Sequence, residues 1–249
     1  MKYHQIDGVI NKFVKTAIVI TLNKPCDCES CEFRDVAFST LSEDDIKDLC
    51  NFKEEQSFRK GEIIHREGDK ICHFKYLKSG LIKLFRSSMR GEEQIISITR
   101  PFEFVSNMSV FSGEVYKYSV AALEDSVVCS VQLDFIKKLF LKNGHFALDL
   151  LTKISVINDK IIAQTLDLRQ KNLAGRVAYV LLYFSNEIYN SRIFDLPVSR
   201  KEIADYIAMS PANVIRALSD FKRDNIIRIF GKTIEIANSE KLDIISKIG

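Results

Sequence analysis

Two short helical patterns meet across Ala208-Met209-Ser210, and few folds accommodate such a pair. Ser199 with Glu202 three places on forms a capping box, so a helix starts there, and Ile203, Ala204 and Ile207 supply its apolar face. Ser210 followed by Pro211 starts a second helix, because serine caps the free amides and proline tolerates the first helical position. Val214, Leu218 and Phe221 make the inward stripe of that helix. Its outward side carries Ala212, Asn213, Arg216 and Ser219, small or hydrogen-bonding groups suited to a major groove. This is the outline of a helix-turn-helix, which makes double-stranded DNA the expected partner. A plain helical hairpin inside a core is the competing reading.

The remainder of the chain has room for a second unit. At 249 residues, 46% hydrophobic and 28% charged, it has room for two domains, each expected to have its own core, and belongs to no disorder class. From Gln170 to Gly249 there are twelve Lys and Arg against nine Asp and Glu, so this tail holds the whole net charge of +3. That excess supports a nucleic-acid partner only weakly, since a solvated surface has the same balance. Near the start, Ala17-Ile18-Val19-Ile20 is apolar, but Lys15 and Lys24 bracket it and no small-residue cleavage site follows. Neither a signal peptide nor a membrane span is expected. Six cysteines without an export signal point to the reducing cytoplasm, not to a disulfide framework.

Periodicity divides the chain further. From Phe58 to Leu133 short alternating strands are punctuated by glycine, and Ser79-Gly80 makes a tight corner between two of them; a β-barrel or jelly roll is expected. From Leu148 to Leu168 apolar residues recur at three- and four-residue steps, giving a helix of about eight turns that needs a second surface, most simply another copy of itself. Gln170-Lys171-Asn172 breaks this rhythm as a hinge, and a helix from Leu173 to Tyr189 follows. After the helix-turn-helix, residues 226–236 read as a hairpin, a wing that lays Lys232 against phosphates. The expected class is α+β. Its parts are an N-terminal extension with a cysteine cluster (1–35), a sensor barrel (36–133), a dimerisation helix (134–169) and a winged helix-turn-helix (170–249).

The order of these parts resembles the Crp/Fnr family of bacterial transcription regulators. The resemblance rests on Lys60-Gly61-Glu62 with Glu67-Gly68-Asp69, on Lys78-Ser79-Gly80-Leu81-Ile82-Lys83, and on the helix-turn-helix followed by Gly231-Lys232-Thr233-Ile234. It implies a cyclic-nucleotide-binding-like barrel that senses a signal, a homodimer built on the long helix, and a palindromic operator read by the winged domain. It also implies that Arg216, in the first turns of the recognition helix, contacts a guanine edge. Pro211 and Ala212 stand where relatives carry an arginine and a glutamate, so the operator need not match theirs. Ser210 and Asn213 are expected to touch phosphates or bases, and Arg200, Lys201 and Lys232 phosphates. A salt bridge from Arg216 to Asp220 is the alternative for Arg216. An exposed barrel loop such as Ser112-Gly113-Glu114 leaves contact with RNA polymerase open.

The signal is less legible. Members that bind cyclic AMP hold its phosphate with an Arg-Ser pair beside a Gly-Glu; here those stretches read Phe104-Val105-Ser106-Asn107-Met108-Ser109 and Tyr116-Lys117-Tyr118-Ser119. Cyclic AMP is not expected, and Lys117 remains as a point charge for some other ligand. Cys26, Cys28 and Cys31 place three thiols within six residues, and Cys129 lies in a strand. The resemblance to the Fnr-like branch implies that these four hold a [4Fe-4S] cluster, since soft thiolates match iron and sulfide. The spacing departs from that branch, because Val36 or Ala37 falls where its last N-terminal ligand would stand. Another metal, a thiol-redox role and plain packing all stay open, and Cys50 and Cys72 are expected to be packing residues. A signalling module whose C-terminal domain contacts a protein is the alternative function. No nucleophile-base-acid set or phosphate-cradling loop is present, so an enzyme is not expected.

Overall fold

The computed structural model describes Cys31, Arg34, residues 38–89 and residues 91–249. Cys26 and Cys28, with most of the N-terminal extension, lie outside the described residues. Helix α1 (Glu43–Asn51) opens on Ser42, whose hydroxyl accepts from the Asp45 amide. The barrel strands follow as β1 (Lys53–Phe58), β2 (Ile63–His65), β3 (His73–Ser79), β4 (Ile82–Ser87), β5 (Glu93–Thr99) and β6 (Phe104–Val105). After a single turn of helix, α2 (Asn107–Val110), come β7 (Ser119–Ala122) and β8 (Ser126–Gln132). They form two antiparallel sheets, ordered β1-β8-β3-β6 and β2-β7-β4-β5. Inward residues of the first sheet, Phe74, Tyr76, Cys129 and Val131, are almost wholly buried; β3 alternates from His73 to Tyr76 as the sequence predicts, whereas β8 is buried on both faces from Val128 to Val131.

Two helices continue from β8, α3 (Leu133–Lys142) and α4 (Gly144–Gln170). Residues 134–169 are therefore not a single helix. Asn143 takes an extended conformation (φ −133°, ψ 94°), and its side chain accepts from the Phe146 amide to start α4 afresh. One stripe of α4, Phe146, Leu150 and Ile154, is buried against the barrel, while Leu148, Leu151, Val156, Ile162 and Leu166 remain exposed. That second stripe is the expected dimer surface.

The C-terminal part begins with α5 (Leu173–Tyr183), capped by Asn172. The sequence predicts a regular helix to Tyr189; instead the last turn, Phe184–Ile188, is a π-helix, whose wider coil inserts an extra residue where Phe184 and Ser185 are buried. Strand β9 (Ile193–Asp195), α6 (Arg200–Ile207), α7 (Pro211–Arg223), β10 (Ile227–Phe230), β11 (Thr233–Ile236) and α8 (Ser239–Ile248) complete the chain, with a small sheet ordered β10-β11-β9.

The barrel and the C-terminal domain share one apolar core. Leu81, Phe85, Ile95, Ile98 and Leu123 of the barrel are continuous with Val177, Leu181, Phe184, Ile203, Ile207 and Leu218. Polar contacts across the same boundary fix its register: Tyr183 Oη donates to the Ile98 carbonyl at 3.2 Å, Tyr189 Oη to Glu124 at 2.5 Å, and Lys60 Nζ to the Pro197 carbonyl at 2.6 Å. Among the described residues, no helix is long and apolar enough to cross a membrane.

Candidate nucleic-acid interface

The helix-turn-helix is built as its sequence predicts. The Ser199 hydroxyl accepts from the Glu202 amide at 3.1 Å while Glu202 Oε2 accepts from the Ser199 amide at 2.9 Å, closing the capping box of α6. Ser210 caps α7 by accepting from the Asn213 amide, and Pro211 occupies its first turn. Ile203, Ala204 and Ile207 of α6 meet Val214, Ala217, Leu218 and Phe221 of α7 in the core. The chain reverses between the helices at Ala208, whose φ of 53° and ψ of 56° lie in the left-handed region that favours glycine. Ala208→Gly is therefore expected to stabilise the protein by about 1 kcal/mol, a rise of roughly 2–4 °C in melting temperature measurable by calorimetry.

Arg176 sets the attitude of this pair toward the long helix. Its guanidinium donates to the carbonyls of Lys171 at 2.9 Å, Ile207 at 3.1 Å and Arg169 at 3.4 Å. Ile207 ends α6 and Arg169 lies in the last turn of α4, so one cation serves the carbonyl ends of two helices.

The residues expected at DNA fall into two groups. Ala212, Arg216 and Ser219 are exposed on the outer side of α7. Ser210, Pro211, Asn213 and Lys201 line an open cleft of about 960 Å³, which they share with Glu92, Glu93 and Gln94 of the barrel. Lys201 is held by Asp205 at 2.7 Å, and Arg200 is half-buried, with desolvation pulling its pKa down. Arg216 does not bridge to Asp220; Arg223 takes that carboxylate at 2.8 Å, and Arg216 has no ion-pair partner among the described residues. Lys232 is exposed beside Gly231 at the tip of the β10-β11 hairpin, where Gly231 has φ 62°. Sequence reasoning missed Ile215. It follows Val214 directly and passes for part of the inward stripe, yet it is exposed next to Arg216.

Inside the barrel, Tyr116 and not Lys117 turns inward. Lys117 is exposed, whereas the Tyr116 ring stacks on His65 with centroids 3.7 Å apart, and His65 Nε2 is 2.8 Å from Ser106 Oγ. Burial first, and the Lys75 ammonium second, push the His65 pKa down to about 3, so the imidazole is neutral. Cys129 is fully buried in β8 and donates to Glu55 Oε1 at 3.5 Å; Cys31 is half-buried against the same apolar cluster. Cys50 packs there too, but Cys72, also expected to pack, is exposed just before β3. Among the described residues no three metal-ligating side chains come together.

Comparison with known proteins agrees with this architecture. A cyclic nucleotide-binding domain model matches residues 55–143, and a Crp-like helix-turn-helix domain model matches residues 175–244. The chain belongs to the Crp/Fnr family of transcription regulators. It is 26% identical to the transcriptional activator protein FnrA of Stutzerimonas stutzeri, over 90% of this chain and 93% of the relative. It is 25% identical to the fumarate and nitrate reduction regulatory protein of Yersinia pestis, over 86% of this chain and 88% of the relative. The structure of FixK2 from Bradyrhizobium japonicum superposes with a TM-score of 0.70 at 24% identity, covering 78% of this chain and 96% of FixK2, which shows the shared fold. Like other Crp/Fnr members, this chain is a DNA-binding transcription regulator.

Proposed function

We propose that the protein works as a homodimer that reads a two-fold-symmetric operator through the outer face of α7, with Arg216 as its guanine-reading group and Lys232 on the flanking phosphates. The observation that carries this is the free guanidinium of Arg216 on an exposed recognition face, its intrahelical competitor Asp220 being taken by Arg223. A planar fork with two parallel donors matches guanine O6 and N7. The exposed stripe of α4, from Leu148 to Leu166, supports the dimer, because each of its leucines and isoleucines gains about 1.5–3 kcal/mol when fully buried. The regulating signal is assigned to the barrel. There the His65–Tyr116 stack meets Ser106, the residue before α2, and the neighbouring stretch lacks the arginine that would hold a cyclic phosphate.

Selection of duplex DNA from a random library by the full-length protein, followed by fluorescence anisotropy over a salt series, tests the assignment. The expected result is an inverted repeat bound with a strong salt dependence. Arg216→Ala should lose about 1–3 kcal/mol of discrimination per half-site at one G·C pair while non-specific binding persists. Unchanged affinity and specificity in that variant would return the C-terminal domain to a protein partner.

A further inference from the structure

We propose that Ile215 reads the C5-methyl group of a thymine in each half-site, beside the base pair read by Arg216. This deepens the DNA-reading assignment and rests on it. Along α7 the apolar residues Val214, Ala217 and Leu218 are no more than 3% exposed, whereas Ile215 is 53% exposed. More than half of this branched aliphatic side chain stays in water, and its helix propensity is below that of the unbranched residues that usually fill such positions. Ala212 lies one turn earlier on the same outer side, so an apolar strip runs along the recognition face next to Arg216.

Polar competition on this strip is low. Ser219 donates its hydroxyl to the Ile215 carbonyl at 2.8 Å and so points back along the helix, while Asn213 lies toward the cleft shared with Glu92 and Glu93. In the major groove the apolar feature of the base edges is the thymine methyl, and aliphatic side chains recognise it by contact. The χ1 angle of isoleucine is nearly fixed in a helix, so the contact forms with little loss of side-chain freedom.

The test uses the operator recovered by the library selection and replaces each thymine in turn by deoxyuridine, which keeps the base pair and removes only the methyl. The expected result is one position per half-site at which deoxyuridine weakens the wild-type protein about fourfold, the value for burying one methyl group. Ile215→Ser should bind the thymine and deoxyuridine duplexes alike at that position and keep its preference for the Arg216 base pair. Because Ile215 lies outside the core, this variant should fold normally. Wild-type indifference to every replacement would overturn the inference with the DNA reading left intact, as would an Ile215→Ser protein that remains as sensitive as wild type. Failure to enrich any sequence would overturn both.

Discussion

Gly80→Ala should destabilise the barrel by about 2–5 kcal/mol, a large share of the 5–15 kcal/mol that holds a typical domain together. Gly80 joins β3 to β4 with φ +88°, where any side chain costs about 1–2 kcal/mol. A Cβ atom there would also lie 2.4 Å from the Asp125 carbonyl oxygen and 2.6 Å from Ser126 Cα, so backbone must move. Ser126 has little freedom to give way, since its buried hydroxyl accepts from the Leu81 amide at 3.2 Å and donates to the Glu124 carbonyl at 2.7 Å. Overpacking of this kind typically adds about 1–3 kcal/mol. Gly61 and Gly68 are the controls: φ is +87° and +90°, but a Cβ at either meets nothing within 4 Å. Urea or thermal unfolding should therefore show Gly61→Ala losing only the backbone cost, while Gly80→Ala loses roughly 10 °C or more in melting temperature. Equal losses at the two positions would show that the corner is not constrained by packing.

What was legible in the sequence was local. The Ser199–Glu202 box, the Ser210-Pro211 start, the Ser79-Gly80 corner and the Gly231-Lys232 tip each act within three or four residues, and all appear where the pattern puts them. The features that escaped depend on distant partners. Ile215 is one residue out of phase with an apolar stripe, and only the helix's orientation shows that it faces outward. The π turn at Phe184–Ile188 has no local breaker to announce it; Phe184 within it packs on Tyr189 and Phe194, beyond the turn. His65 looks isolated in sequence because Ser106 and Tyr116, which hold it, are 41 and 51 positions away. The helix-turn-helix was legible, but the cleft dividing the residues expected at DNA into an outer face and a barrel-facing group was not.

Lys83 exemplifies such distant pairing, and its replacement by methionine should loosen the DNA-binding domain from the barrel. Lys83 projects from β4 with only 9% of its side chain exposed, and its ammonium donates to Glu93 at 2.6 Å and to Glu202 of the helix-turn-helix at 3.0 Å. Desolvation pulls the Lys83 pKa down, but the two carboxylates outweigh it and the net shift is upward. For Glu202, burial pushes up, and the Ser199 amide and Lys83 outweigh it, so its pKa lies below the usual carboxylate value. A depressed carboxylate stabilises the folded state above its unfolded pKa of about 4.3, and that contribution is lost as pH falls through the folded value. In Lys83→Met the sign reverses. Glu202, half-buried, is left without that ammonium, so keeping it ionised costs stability and acid relieves the cost. The expected loss at pH 7 is about 2–3 kcal/mol, below the range for fully buried pairs because both carboxylates are partly exposed. It should appear as faster proteolysis at the junction of α4 and α5, residues 170–172, and the gap from wild type should narrow toward pH 4. Glu202→Gln keeps the capping geometry and removes the charge, so the double variant should recover most of the loss. A deficit that stays constant with pH and is not rescued by Glu202→Gln would place the effect of Lys83 in its packing over Phe85, not in the ion triad that joins the barrel to the helix-turn-helix.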